Sequence, residues 1–217
     1  MNTIKKILAV IDPSKDKQIA LNRSFELARK SGAQITAFLS IYDFSYEMTT
    51  MLSREERDAM RDAVINDRKE WITSLINQHG GDIKVDCQVV WHNRPFESII
   101  EAVLEQNYDM VVKGTHQHDT LKSVIFTPTD WHLIRKCPVP LLLVKEHDWP
   151  AGGQILAAVN ASSEEETHQA LNQTIMKEAA YLADLIDGNL NLVNAYPGTP
   201  VNIAIEIPEF DAGQYAE

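Results

Sequence analysis

The chain has 217 residues with a formal net charge of −11 at pH 7, and 44% of its residues are hydrophobic. This length and apolar content allow one or two globular domains, and the acidic charge disfavours nucleic acid and anionic membranes as partners. No run approaches the roughly 20 apolar residues of a membrane span, and Cys87 and Cys137 are too few for a disulfide framework. We therefore expect a cytoplasmic protein with no nucleic-acid or membrane partner.

Strand and helix patterns alternate from the start of the chain. The continuous apolar run Ile7–Ile11 predicts a central strand that is buried on both faces. Asp12-Pro13-Ser14 ends this strand and precedes a helix that closes at Gly32. A second strand is predicted at Ile35–Tyr42, so the opening of the chain has β-α-β order.

A long helix is predicted next. Ser53 and Glu56 have the spacing of a capping box. The apolar stripe that we expect this helix to bury contains four residues, Met60, Val64, Trp71 and Leu75. The glycine pair at positions 80 and 81 ends the helix.

Three further strands are predicted. Apolar and polar residues alternate from Ile83 to Val89, which indicates a strand with one wet face at a sheet edge. A helix that begins at Arg94-Pro95 leads to a short buried strand at Met110–Val112. A polar stretch and a short helix ending at Cys137-Pro138 come before the fifth strand, Leu141–Val144.

This alternation predicts an α/β fold, a doubly wound parallel five-stranded sheet between helix layers. Ligands in such sheets bind beyond the carboxyl ends of the strands, where the strand order reverses. The residues that follow predicted strands are therefore candidate ligand-binding residues. They include Asp12, Gly114 and Thr115.

The opening of the chain returns near its end. The segment ILAVIDPS at residues 7–14 reappears as ILAAVNAS at residues 155–162, and the tripeptide ALN follows each. This repeat predicts a first domain at residues 1–147, a linker at 148–153 and the N-terminal part of a second domain at 154–217. By matched spacing the second copy would extend about 75 to 85 residues further. Asn160 is the counterpart of Asp12 and is a fourth candidate ligand-binding residue.

These segments resemble the universal stress protein family. The strand ending in Asp12, YDMVVKG at Tyr108–Gly114 and IRKCPVPLLLV at Ile134–Val144 are similar to the family's first, fourth and fifth strand regions. IYDFSYEMTT and VIFTPTDWHLIRKCP are similar to its tandem-domain E type. The resemblance implies a Rossmann-like fold, a stress response, a small-molecule ligand held partly by Asp12, and a homodimer formed through Val139–Val144.

The resemblance also bears on ATP. Nucleotide-binding members of the family carry a glycine, two residues, a glycine, nine residues, then a glycine followed by serine or threonine. Gly114 matches the first glycine, whereas Gln117, Thr127 and Pro128 occupy the other three positions. Side chains at these positions obstruct close approach by a phosphate, and Pro128 also lacks an N–H donor. ATP is therefore not expected as a cofactor of the first domain.

A histidine-rich loop lies where phosphates would otherwise be held. His116 and His118 are one residue apart on an extended segment, so both rings can face one metal ion. Asp119 or His132 would complete a zinc-like tetrahedral site. The same composition also fits a solvated polar loop that binds no metal.

The favoured function is a non-catalytic stress-response protein that binds a small ligand. The alternative is a nucleotide-hydrolysing or zinc-assisted enzyme that uses the histidine-rich loop. A third candidate is a structural domain pair without a ligand. No Ser-His-Asp or Cys-His arrangement is marked by the local sequence. The alternating segment Pro200–Phe210 is expected to line a pocket or to pack against the second domain.

Overall fold

The structure is a computed structural model. It describes residues 3–45, 52–117, 124–147, 149–150, 152–161 and 165–194. The chain divides into two compact units, residues 1–148 and residues 149–217, and each is considered by itself. The segment Pro200–Phe210 lies outside the described residues.

The first unit alternates strands and helices. Its strands are β1 (Lys6–Val10), β2 (Gln34–Ile41), β3 (Val85–Trp91), β4 (Met110–Gly114), β5 (His116–Gln117), β6 (Val124–Ile125) and β7 (Leu141–Val144). Its helices are α1 (Ile19–Ser31), α2 (Arg54–His79), α3 (Pro95–Gln106) and α4 (Pro128–Lys136).

The predicted sheet is confirmed. Five parallel strands pair in the order β3-β2-β1-β4-β7, with β1 at the centre and β3 at one edge. Ile7, Leu8 and Ala9 of β1 have no solvent-exposed surface, as expected for a strand covered by helices on both faces. The chain moves from β1 to β2 on one side and later returns to β4 on the other, so the strand order reverses beside β1.

Local sequence signals set the helix ends. Gly32 has a φ of 73° after the last turn of α1, a left-handed conformation that favours glycine. At the start of α2, the Ser53 side chain accepts a hydrogen bond from the amide of Glu56 at 3.2 Å, and the Glu56 carboxylate accepts one from the amide of Ser53 at 2.8 Å. The predicted capping box is therefore present, and Pro95 occupies the first turn of α3.

Two local predictions need correction. The predicted stripe of α2 is only partly buried: Met60 is 43% exposed, Val64, Trp71 and Leu75 are half-buried, and Ile72, outside the stripe, is the buried residue of this helix, all of which is described. The polar stretch before α4 contains an antiparallel pair, with His116 opposite Ile125 and Gln117 opposite Val124. The burial of individual α2 residues and the pairing of β5 with β6 therefore depend on contacts that the local sequence pattern does not reveal.

The second unit is a β-α-β arrangement. It consists of β8 (Gln154–Val159), α5 (Glu166–Ile186) and β9 (Asn189–Asn194), and its two strands are parallel. This is the same element order as β1, α1 and β2. In the part of the chain that the structure describes, no helix is long and apolar enough to cross a membrane.

The end of α1 gives the first testable prediction. Gly32→Ala should lower the free energy of unfolding by about 1 kcal/mol, because the added Cβ disfavours the left-handed conformation. A Cβ at this position would meet no atom within 4 Å, so the effect should come from the backbone alone. Urea denaturation measures the difference.

The matched control is Gly32→Asn, because asparagine tolerates the left-handed region better than alanine does. Equal losses of stability in the two variants would contradict the backbone explanation.

Candidate functional site

A cavity opens where the carboxyl ends of β1 and β4 meet. This carboxyl-end cleft has a volume of about 280 Å³. Its polar lining includes Asp12, Ser40, Lys113, Gly114, Thr127 and Thr129. A smaller cavity of about 110 Å³ lies beside it and is also lined by Asp12 and Gly114, together with Thr115. Three of the four predicted ligand-binding residues therefore line this edge of the sheet, as the reversal of strand order requires.

Asp12 has a structural role as well as a place in the cavity walls. Its Oδ1 accepts hydrogen bonds from the amide of Ser14 at 2.9 Å and from the Ser14 hydroxyl at 2.6 Å. These bonds form a turn in which the side chain replaces a backbone acceptor. Asp12 thus shapes the loop between β1 and α1 and lines both cavities.

Gln18 holds the same loop from the other side. Its side-chain oxygen accepts from the amide of Asp12 at 2.9 Å, and its nitrogen donates to the carbonyls of Asp12 at 2.8 Å and Lys15 at 2.5 Å. Gln18 is only 5% exposed. One amide side chain therefore satisfies three backbone groups that fix the edge of the site.

Asn160 belongs to the second unit, where an equivalent bond pattern occurs. The amide of Asn160 donates to the Asn172 side-chain oxygen at 3.0 Å, and the Asn172 side-chain nitrogen donates to the Asn160 carbonyl at 2.8 Å. In each unit, an amide side chain from the following helix or from its N-cap braces a residue just beyond the first strand.

Gly114 and Thr115 shape the end of β4. A Cβ on Gly114 would lie 2.9 Å from Cγ1 of Ile19, so any larger residue here would force the Ile19 side chain of α1 to shift. The amide and the hydroxyl of Thr115 both donate to the Val144 carbonyl, at 2.8 and 3.1 Å. The Thr115 hydroxyl is thus engaged with β7 while the residue lines the smaller cavity.

A buried ion pair in the cleft was not predicted from the sequence. Nζ of Lys113 lies 2.7 Å from Oδ1 of Asp130, and the two side chains are 12% and 0% exposed. Oδ2 of Asp130 accepts from the amide of Thr127 at 2.7 Å and from its hydroxyl at 2.9 Å. The Thr127-to-Asp130 spacing is a capping-box signal that could have placed the carboxylate at the start of α4. No local sequence pattern indicates that this carboxylate pairs with Lys113.

The proposed metal ligands are only partly described. His116 is paired through its backbone in β5, while His118 and Asp119 lie outside the described residues. The His132 ring stacks on Phe96 with centroids 4.1 Å apart and an interplanar angle of 16°. Among the described residues no group of three histidine, cysteine or acidic side chains could hold a metal ion. The zinc site remains a prediction.

A larger, more open cleft of about 810 Å³ lies at the ends of β2 and β3, against α2. Tyr42 and Trp91 line it with ring centroids 5.9 Å apart, and Arg68 and His92 also contribute.

Burial raises the pKa of both Cys87 and Cys137 above the ordinary thiol value. Neither thiol is therefore activated as a nucleophile.

The comparisons with known proteins agree with each other. A model of the universal stress protein family matches residues 3–145. Universal stress protein E of Escherichia coli is 52% identical over 217 residues, which span 99% of this chain and 69% of that protein. The universal stress protein E homolog of Haemophilus influenzae is 41% identical over 217 residues. That match covers 97% of this chain and 70% of the length of the homolog.

A solved structure gives the same fold. The crystal structure of a functionally unknown protein from Pseudomonas aeruginosa is similar to this chain with a TM-score of 0.65 at 25% identity. The match covers 98% of this chain and 68% of that one.

Gln18 provides the second prediction. Gln18→Ala should lower the free energy of unfolding by about 2 kcal/mol, because the Asp12 amide and the Lys15 carbonyl lose this partner, while the Asp12 carbonyl keeps only its bond from the Lys15 amide. Thermal or urea denaturation measures the loss. Gln34→Ala is the control, since Gln34 is exposed at the start of β2. Comparable losses in the two variants would show that the loop does not depend on this amide.

Proposed function

This chain belongs to the universal stress protein family, and from that premise we propose that it is a non-catalytic stress-response protein that binds a small molecule in the carboxyl-end cleft. The observation that carries the proposal is the position of this cleft. It lies at the ends of β1 and β4, where the strand order reverses and where α/β sheets bind ligands. Its volume is close to the lower end of the range for ligand pockets, about 300–1,000 Å³.

The ligand-binding residues in this proposal are Asp12, Gly114 and Thr115, with Asn160 as the equivalent of Asp12 in the second unit. Asp12 and Gly114 line both cavities of the first unit, which supports their assignment. The amide braces of Asp12 and Asn160 support the interpretation of the two units as copies of one domain.

We do not assign ATP to the first unit. Thr127 is the N-cap of α4 and Pro128 its first residue. Pro128 supplies no N–H, and Thr127 has side-chain atoms where the family's nucleotide-binding pattern has glycine. This supports a ligand other than a nucleotide. Zinc at His116, His118, Asp119 and His132 remains an alternative cofactor.

The same proposal places the protein in the cytoplasm. The free thiols Cys87 and Cys137 support a reducing compartment.

Ligand binding can be tested by native mass spectrometry of the purified chain. We expect a non-covalent adduct that Thr129→Phe abolishes, because an aromatic ring at Thr129 would fill the carboxyl-end cleft. Thr73→Phe is the matched control, since Thr73 is exposed on α2 away from this cleft. An adduct that survives Thr129→Phe would place the ligand elsewhere.

The same samples test the enzyme alternative. The proposal expects no release of phosphate from ATP above the level of a buffer blank. Phosphate release that disappears in the His116→Ala and His118→Ala double variant would overturn the non-catalytic function and favour the zinc-assisted enzyme.

A homodimer through β7 is a further part of the proposal. β7 is an edge strand, and the carbonyls of Pro140 and Val144 accept hydrogen bonds from the amides of Val111 in β4 and of Thr115 just after it. Since the backbone groups of a strand alternate in direction, those of Leu141 and Leu143 point to the open edge. This edge can pair with the same strand of a second copy.

We expect sedimentation analysis to show a dimer at high concentration and a monomer for Leu143→Pro. Proline at this position removes an outward N–H without removing a bond to β4. Circular dichroism checks that the variant is folded. A wild-type chain that sediments only as a monomer would contradict the dimer.

A further inference from the structure

Two positive groups meet at the mouth of the carboxyl-end cleft. The first turn of α4 has the partial positive charge of a helix N-terminus. Lys113, at the end of β4, brings its ammonium group to the same place. Together, a helix start and a lysine have the chemistry that binds phosphate groups.

A carboxylate of the protein already occupies this position. Asp130 has no exposed side-chain surface, and its Oδ1 lies 2.7 Å from Nζ of Lys113. Its Oδ2 accepts two hydrogen bonds from Thr127, at 2.7 and 2.9 Å. The amide of Asp130 in turn donates to the Thr127 hydroxyl at 3.2 Å, and Pro128 has no amide hydrogen. Little of the first turn of α4 is left for an external anion.

The ion pair also changes the electrostatics of the cleft. The charge of Lys113, which lines the cleft, is compensated by the buried Asp130, and Asp12 places a carboxylate in the lining itself. An entering phosphate would meet a compensated lysine and the like charge of Asp12 in a region of reduced dielectric. The rest of the wall includes the apolar residues Ile11, Pro95 and Ile99. These surroundings suit an uncharged ligand.

We propose that Asp130 is a built-in anion that fills the position between Lys113 and the start of α4, so that the cleft selects an uncharged small molecule over a phosphorylated one. This inference rests on the proposed ligand-binding function and names the class of ligand. Asp130 is thus a specificity-determining residue that acts by occupying the anion position.

The test is a gain of binding. Wild-type protein should show no saturable binding of inorganic pyrophosphate in isothermal titration calorimetry at fixed ionic strength. Asp130→Asn keeps the shape of the side chain and removes the negative charge beside Lys113, whose ammonium group keeps its hydrogen bond to the Gly114 carbonyl at 3.2 Å. We expect this variant to bind pyrophosphate saturably, with an affinity at least about tenfold above the weakest that the titration detects, the effect of one charge-assisted hydrogen bond. Adding Lys113→Met to Asp130→Asn should abolish the gain.

Glu56→Gln is the matched control. Glu56 has the same capping-box position at the start of α2 that Asp130 has in α4, but it is exposed and has no lysine partner among its hydrogen bonds in the described residues. Equal gains in Glu56→Gln and Asp130→Asn would overturn the proposal, because the effect would then come from net charge or any helix start. A folded Asp130→Asn variant that gains no binding would also overturn it.

Asp130→Asn is expected to be destabilised, because it leaves a buried lysine without its counter-charge. If the variant does not fold, an NMR titration of wild type with pyrophosphate decides. Saturable shifts of the Gly114 and Thr129 amides would overturn the proposal, and unchanged amides would support it. This result is independent of the adduct experiment, because a wild type without any retained ligand can still exclude pyrophosphate through Asp130.

Discussion

The burial of β1 on both faces is the constraint on which the site depends. A parallel strand covered by helices on both sides must lie inside the sheet, and here β2 and β4 flank it. The connections leave β1 and β4 in opposite directions, which opens a gap between their carboxyl ends. Asp12 and Gly114 line this gap because Asp12 lies two residues beyond the end of β1 and Gly114 ends β4. The apolar run at Ile7–Ile11 therefore determines where the carboxyl-end cleft forms.

The buried charged side chains of this scaffold are held by opposite charges and hydrogen bonds. Arg23 of α1 is 4% exposed, and it forms an ion pair with Glu26 and donates to the His147 carbonyl at 2.7 Å. That bond attaches the segment after β7 to α1. Lys113 and Asp130 follow the same rule at the cleft. Because desolvation offsets much of the attraction between buried charges, such a pair adds specificity more readily than stability.

The sheet could be predicted because each buried strand is a continuous apolar run, and the helix ends because capping residues act locally. The depth of burial along α2 could not be predicted in this way. Its residues are polar on most sides, and Ile72 is fully buried while Met60 of the predicted stripe is exposed. The Lys113–Asp130 pair and the stacking of His132 on Phe96 join residues that are distant in sequence. Hydrophobic periodicity in the sequence carries no information about such contacts. The compensation of the Lys113 charge at the cleft therefore could not be predicted from the sequence.

Gln18 and Asn172 have the same structural role in the two units, although they occupy different positions in the sequence repeat. Gln18 is six residues after Asp12, whereas Asn172 is twelve residues after Asn160. An alignment of the repeat therefore does not pair the two amides, although each satisfies both backbone groups of the residue that follows the first strand. The physical requirement is that a strand-end amide and carbonyl at the edge of a cleft need partners. Any amide side chain that reaches them from the next helix meets this requirement, so the geometry is kept while the spacing differs.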